Sequence, residues 1–433
     1  MVPKAPGKIA KETVVSAATE FLNKRVVPAL TAFSDNSYLS AVRAGMVSVV
    51  PLTIIGGLFM IVAYLPITGW DKRVAPYLEI LQVPVTATFG LLAVFACFAI
   101  SYDLGKRLKQ EAILSASMAT VVFLLLQIQS KDQAFSMDGL GSKGLFTAIV
   151  IALICVRVQK FFTDRNLVIR LPAQVPPAVY ESFLSLVPLF FLLLLFWVIR
   201  FVLGIDIQTL VQSAFKPFVF ALNTLPGILV YAFLVTMLWS VGINGDNTLD
   251  ALVAPVFLHY LAANVEATAA GLPLPYITAN GFFTTFVNVG GTGATIALAL
   301  VLWNSKEPGL RKVSRISLPT QIFQINEPIF FGIPIVLNPL FMIPYILNAL
   351  ILTAASYLLM HWNVIHKPFV NVPWTTPPII GHYLVSGGDW RAAVWGAGSI
   401  AIAMAVYYPF AKTAERQRLK AETPRAPDET LAP

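Results

Sequence analysis

Apolar runs of about 14 to 22 residues recur along almost the whole chain, and this repetition restricts the fold more than any other feature. They fall at about 44–65, 84–104, 112–128, 144–158, 183–203, 228–241, 249–264, 282–303, 340–360 and 392–410. A bilayer-spanning helix needs roughly 20 apolar residues, so the 433-residue chain has room for about ten spans with their loops. Hydrophobic residues make up 57% of the chain and charged residues 12%, whereas a soluble domain carries about 25% charged residues. The expected fold is therefore an all-α polytopic membrane protein.

Charge orients the spans. The net charge is +8, which in a soluble protein would suggest a nucleic-acid partner. Here the basic residues gather in particular loops, as the positive-inside rule requires, and no nucleic acid is implied. Lys106, Arg107 and Lys109 follow the second span, and Arg157, Lys160, Arg165 and Arg170 follow the fourth. Lys306, Arg311, Lys312 and Arg315 form a third basic loop. Loops after the first, third and fifth spans carry Asp71, Asp132, Asp138 and Asp206. Both termini are expected in the cytoplasm, with Lys131 on the opposite side.

Four regions follow. Residues 1–43 form a cytoplasmic leader, in which Phe21, Leu22, Val26, Val27, Leu30 and Phe33 recur at helical spacing, as in an interfacial helix. The leader has no short apolar core of the kind a signal peptide carries. Residues 44–225 form an N-terminal membrane half and residues 226–411 a C-terminal one, divided near Pro226-Gly227. Residues 412–433 read as a disordered cytoplasmic tail. Cys97 and Cys155 lie in apolar runs with no partner spacing, so no redox motif, metal site or cofactor is expected.

Polar islands interrupt the C-terminal half. In Gln324-Ile325-Asn326-Glu327-Pro328, one carboxylate sits in an apolar run further broken by Pro334, Pro339 and Pro344. Ionisable groups at membrane depth are costly and face cavities, and broken backbone is tolerated there only where protein or water satisfies it. The reading is a discontinuous helix lining a pocket, with Glu327 buried in it; the alternative is a solvated surface loop. Gly242-Ile243-Asn244-Gly245-Asp246-Asn247 offers amide, carboxylate and flexible backbone, either as a polar substrate site or as an ordinary turn. Residues 288–295 are glycine-rich but lack the Lys-Ser/Thr ending of a nucleotide loop, so ATP binding is excluded, and amides that cradle a phosphate and close helix packing both remain open. Pro373-Trp374-Thr375-Thr376-Pro377-Pro378, followed by His382, sets an indole beside hydroxyls, which suits a pyranose; an interfacial Trp anchor is the alternative. His259 has polar Asn264 and Glu266 nearby. Together these groups describe a pocket for a neutral, hydroxyl-rich solute.

The runs Ala87-Thr88-Phe89-Gly90-Leu91-Leu92-Ala93, Lys143-Gly144-Leu145-Phe146, Val175-Pro176-Pro177-Ala178-Val179, Asn326-Glu327-Pro328 with Asn338-Pro339, Pro373 to Pro378 and Gly387-Gly388-Asp389-Trp390-Arg391 resemble the IIC permease component of the bacterial sugar phosphotransferase system, in its lactose/cellobiose/diacetylchitobiose branch. The resemblance implies ten spans with two re-entrant hairpins, a homodimer held by the first half, and location in the bacterial plasma membrane. It implies that a disaccharide is bound and translocated, and that its 6-hydroxyl is phosphorylated by a cytosolic IIB subunit, itself served by IIA. IIB carries the phosphocysteine, and no soluble domain holding one is expected within these 433 residues. The implied sugar contacts are Asn244, Gly245, Asp246, Asn326, Glu327, Trp374, Thr375 and His382, with Glu327 as general base. Where the family pattern reads Gly-Ile-His-Gly, this chain reads Gly242-Ile243-Asn244-Gly245. Asparagine hydrogen-bonds but cannot exchange a proton near neutral pH, so a second reading is a sugar-sensing or uncoupled membrane protein. An ion-coupled transporter is a third.

Overall fold

The computed structural model describes residues 36–64, 69–129, 133–169, 172, 177–333 and 335–422. The leader helix, Lys131 and most of the tail lie outside the described residues. The architecture is helical throughout, with a single isolated β-bridge, Ile128 to Phe135, among the described residues. The principal helices are α1 (Ser37–Ala63), α2 (Leu78–Thr88), α3 (Leu92–Arg107), α4 (Ala112–Gln127), α5 (Leu145–Asp164), α6 (Pro177–Trp197), α7 (Ile207–Leu222) and α8 (Leu225–Ser240). They continue with α9 (Gly245–Ala269), α10 (Thr295–Leu302), α11 (Pro308–Gln321), α12 (Glu327–Gly332), α13 (Pro339–His361), α14 (Pro378–Val385) and α15 (Trp390–Glu422).

Among the described residues, seven helical segments are long and apolar enough to cross a membrane, with 72–107, which holds α2 and α3, counted as one; the number is eight if α7 and α8 count as one further span. At 16 residues, α4 is apolar but shorter. The expected span at 282–303 is not one helix. Phe282–Val287 is a π-helical turn and α10 begins only at Thr295. Between them Gly290, Gly291, Gly293 and Ala294 have positive φ, a conformation that cannot propagate a right-handed helix. Such a break is tolerated only where protein or water satisfies the freed amides.

The chain divides into two compact units. Of the described residues, the first comprises those up to 63, 72–222 and 243–279, and the second 64–71, 223–242 and those from 280 on. Residues 243–279 belong to the first unit, because α9 packs on α1 and α5. In the first unit α1, α4 and α5 pack around α3, with Ala93, Ala96, Cys97 and Ile100 of α3 fully buried. In the second unit α13 packs against α8 and α15, and α15 also packs against α10 and α14.

The start of α15 is built by the Gly387-Gly388-Asp389-Trp390-Arg391 stretch. Asp389 is buried, and its Oδ1 accepts from the Arg391 amide at 3.0 Å and from Arg391 Nε at 2.9 Å. Its Oδ2 accepts from the His366 amide at 2.9 Å. Burial pushes this carboxyl up, but the Arg391 and His366 hydrogen bonds outweigh it and hold the group below the ordinary carboxylate range. The motif is thus a helix cap that also ties down the chain after α13.

Candidate functional site

In the second unit the polar islands converge. After α11 the chain turns on Gln324, whose φ is +68°; the Ile325 amide returns to the Thr320 carbonyl at 3.1 Å. This turn points the Gln324 side chain inward, where it is buried. Its Oε1 accepts from the amides of Gly290 at 2.6 Å and Gly291 at 3.1 Å. Its Nε2 donates to the Thr376 carbonyl at 3.3 Å. Asn326, also buried, donates from Nδ2 to the Thr292 carbonyl at 3.0 Å. On the far side of the loop, the Tyr407 hydroxyl donates to the Gly293 carbonyl at 2.7 Å. The glycine loop, the Asn-Glu-Pro run and the Trp-Thr-Thr turn are therefore one hydrogen-bonded assembly. Residue 291 has no room for a side chain: a Cβ there would lie 2.4 Å from Asn326 Cβ, and φ is +105°.

Glu327 is the first residue of α12, with Pro328 behind it. It is exposed, which corrects the expectation of a buried carboxylate. The reason is local: Asn326 turns inward to Thr292, and the following residue, with Ile325 before it, faces out. Trp374 is 59% exposed and Thr375 half-buried, on a turn closed by the Thr376 amide and hydroxyl, which both bond the Pro373 carbonyl. His382 is fully buried. Its Nδ1 bonds the Pro378 carbonyl and its ring meets Phe286 edge-on at 4.6 Å. Its Nε2 is buried without a hydrogen-bond partner.

Asn244, Gly245 and Asp246 lie in the first unit. Asn244 is the N-cap of α9: its Oδ1 accepts from the Asn247 amide at 2.9 Å and its carbonyl accepts from the Thr248 hydroxyl at 2.7 Å. Gly245 is buried, and half-buried Asp246 occupies the first turn, where a carboxylate is favourable. Arg43, from α1, donates to the Asn247 carbonyl at 2.8 Å. His259 Nδ1 lies 2.9 Å from the Ser142 carbonyl, and the Ser142 hydroxyl donates to Glu266 at 2.9 Å. Asn264 exchanges two hydrogen bonds with the Tyr276 backbone. These groups hold loops.

Sequence reasoning passed over Gln324, Tyr407 and Arg43 as partners. For Gln324 the signal was present: an amide placed between Phe323 and Ile325 in an apolar run needs buried partners. Nothing local signals Tyr407, 114 residues from Gly293.

Residues 43–349 match the family model described as phosphotransferase system, EIIC. The chain is 33% identical to the lichenan permease IIC component of Bacillus subtilis, over 96% of this chain and all of that one. It is 34% identical to the cellobiose-specific EIIC component of Geobacillus stearothermophilus, over 93% and 95% of the two chains. Its structure superimposes, at a TM-score of 0.87 and 32% identity, on the transporter ChbC, the IIC component from the N,N'-diacetylchitobiose-specific phosphotransferase system, covering 94% of this chain and 100% of that one.

Proposed function

From the premise that this chain belongs to the EIIC family of the phosphotransferase system, we propose that it is the IIC permease for a disaccharide of the cellobiose, diacetylchitobiose or lactose type. It is a multi-pass membrane protein, and components of this kind work with IIB and IIA subunits and a sugar. The observation that carries the reading is the full-length likeness to a diacetylchitobiose IIC component at 32% identity. The full-length relatives are permease components, and nothing favours the sensing or ion-coupled alternatives.

The sugar contacts in this reading are Asn244, Gly245, Asp246, Asn326, Glu327, Trp374, Thr375 and His382. Exposed Trp374 supports it, since an indole face stacks on a pyranose while neighbouring hydroxyls hydrogen-bond. So does Glu327, exposed beside a buried, braced asparagine. Its carboxylate accepts the proton of the sugar 6-hydroxyl as that oxygen attacks phosphorus on IIB; the S–P bond breaks and the cysteine leaves as thiolate. His382, buried behind Phe286, supports the site's wall more than the sugar itself. We further propose that residues 44–225 form a homodimer interface, and that both termini face the cytoplasm at the bacterial plasma membrane. Labelling of cysteines placed at 165 and 131 from one side overturns that topology. Crosslinks found only beyond residue 226 overturn that interface.

The test of function is a disaccharide panel offered to the purified protein, followed by product analysis with phosphorylated IIB. Glu327→Gln keeps shape and hydrogen bonding but cannot take a proton. It binds sugar within a few fold of wild type and loses phosphorylation by at least about tenfold, since positioned bases contribute about 10²–10⁴-fold. Phosphorylation at the wild-type rate makes Glu327 structural.

A further inference from the structure

One side chain joins all three polar islands of the second unit, and it is neither acidic nor exposed. Gln324 makes three hydrogen bonds, two to amides 33 and 34 residues earlier in the chain and one to a carbonyl 52 residues later. It adopts a left-handed backbone conformation without being glycine. That conformation is disfavoured for a side chain of this size and persists where the surroundings over-determine it. Around Gln324 they do. The Gly290 and Gly291 amides sit in a break between helices, where the Gly291 amide is shared with the Asn288 carbonyl at 3.0 Å. The Thr376 carbonyl belongs to the turn that carries Trp374 and Thr375. Asn326, two residues on, holds the same glycine loop from its other edge through Thr292. Glu327 follows directly. An amide is the one side-chain group that both accepts from two N–H groups on its oxygen and donates to a carbonyl from its nitrogen.

We propose that Gln324 is a positioning residue: it clamps the glycine loop and the Trp-Thr-Thr turn to the Asn326-Glu327 run, so that the loop, the indole and the carboxylate keep one geometry toward a bound disaccharide. The sugar part of this rests on the function proposed above; the clamp itself does not. Asn326 shares the task through its amide nitrogen, which donates to the Thr292 carbonyl.

Two variants of the full-length protein in detergent test it. Gln324→Met removes all three hydrogen bonds at similar volume. Gln324→Glu keeps an oxygen for the two glycine amides and deletes the donation to Thr376. Hydrogen exchange over residues 288–295 and 373–377 is measured with disaccharide affinity. Gln324→Met speeds exchange in 288–295 and weakens disaccharide binding by about tenfold or more, since each lost buried hydrogen bond weakens the assembly by a few fold. Gln324→Glu keeps 288–295 at the wild-type pace, loosens 373–377, and binds with intermediate affinity. A general loss of stability would not divide the two segments in this way. Wild-type affinity in Gln324→Met overturns the proposal, and so does exchange over 288–295 that is equally fast in both variants. Should Gln324→Met yield no folded protein, Gln324→Glu against wild type decides alone: unchanged exchange over 373–377 overturns the clamp. If wild type binds no disaccharide, the reading of the site falls, and exchange still decides the clamp.

Discussion

The two polar islands that carry the proposed sugar contacts are built on opposite principles. Asn244's own hydrogen bonds are local: its side chain and carbonyl serve residues three and four positions on, while the remote bond from Arg43 goes to the Asn247 carbonyl. Around Gln324 and Asn326 they are remote, each crossing more than 30 residues of chain. A local cap forms wherever its helix forms. A remote clamp exists only once the second unit has assembled, and it fails as one piece. The first island is a helix start that also offers polar groups; the second is a tertiary junction.

This contrast sets the size of the expected effects. The largest belongs to Gly291→Ala, where the new methyl meets Asn326 at 2.4 Å with φ at +105°. Overpacking and a left-handed alanine together cost about 3 kcal/mol or more. Thermal unfolding in detergent shows a matching drop in Tm, with loss of disaccharide binding. A Tm within a degree of wild type would mean that the junction yields easily and the contrast is wrong. Gly242→Ala, beside the first island, is the matched control. Its φ is +87°, but the nearest atom to a new Cβ is Val336 Cγ1 at 3.6 Å. Only the backbone cost of about 1–2 kcal/mol applies. A Tm loss as large as that of Gly291→Ala would erase the distinction.

Asn244→Ala loses a cap worth about 0.5–2 kcal/mol. If the amide also meets a sugar hydroxyl, affinity falls as well, by about 1–3 kcal/mol. Asn244→Ser separates the two roles, because serine caps but has no amide to donate: Tm recovers and affinity does not. Unchanged affinity in both variants makes the island a turn and nothing more. The smallest effect is confined to acid. The Asp389 carboxyl is held below its ordinary value of 3.8, so its stabilisation is fully present above that value and is lost as pH falls through the lowered one. Asp389→Asn flattens that acid limb of the Tm profile and leaves the two islands' order unchanged; an unaltered limb rules the carboxyl out as its source.

Much of this was legible in the chain, and the division follows the same line. Apolar runs announced the membrane helices, because length and hydropathy are local properties: α9, α13 and α15 each contain an expected span. Asn244, with Gly242 before it and a carboxylate after it, carried the signs of a helix start. The run at 282–303 misled because hydropathy counts apolar residues and is blind to dihedral angles; the glycines inside it were the evidence against a straight helix. Glu327 was read as buried because its neighbours in sequence are apolar. Yet Asn326 is the inward residue, and which of two adjacent polar side chains turns in depends on a carbonyl 34 residues earlier. His382 drew attention by standing near Trp374 in sequence, while its packing against Phe286 depends on a helix break nearly a hundred residues earlier.

The last helix has a consequence of scale. At 33 residues, α15 is about 50 Å long, and the hydrocarbon layer is about 30 Å thick. Roughly 20 Å of it therefore has no lipid to occupy. That surplus is bolted down: Glu415 receives the Ser305 hydroxyl at 3.0 Å and the Lys306 amide, while Lys412 reaches its other oxygen at 2.7 Å. The outcome is a rigid mast rather than a fraying end, with Arg416 and Lys420 exposed along it. The number of residues in one helix thus sets how much of that charged surface outruns a hydrocarbon layer.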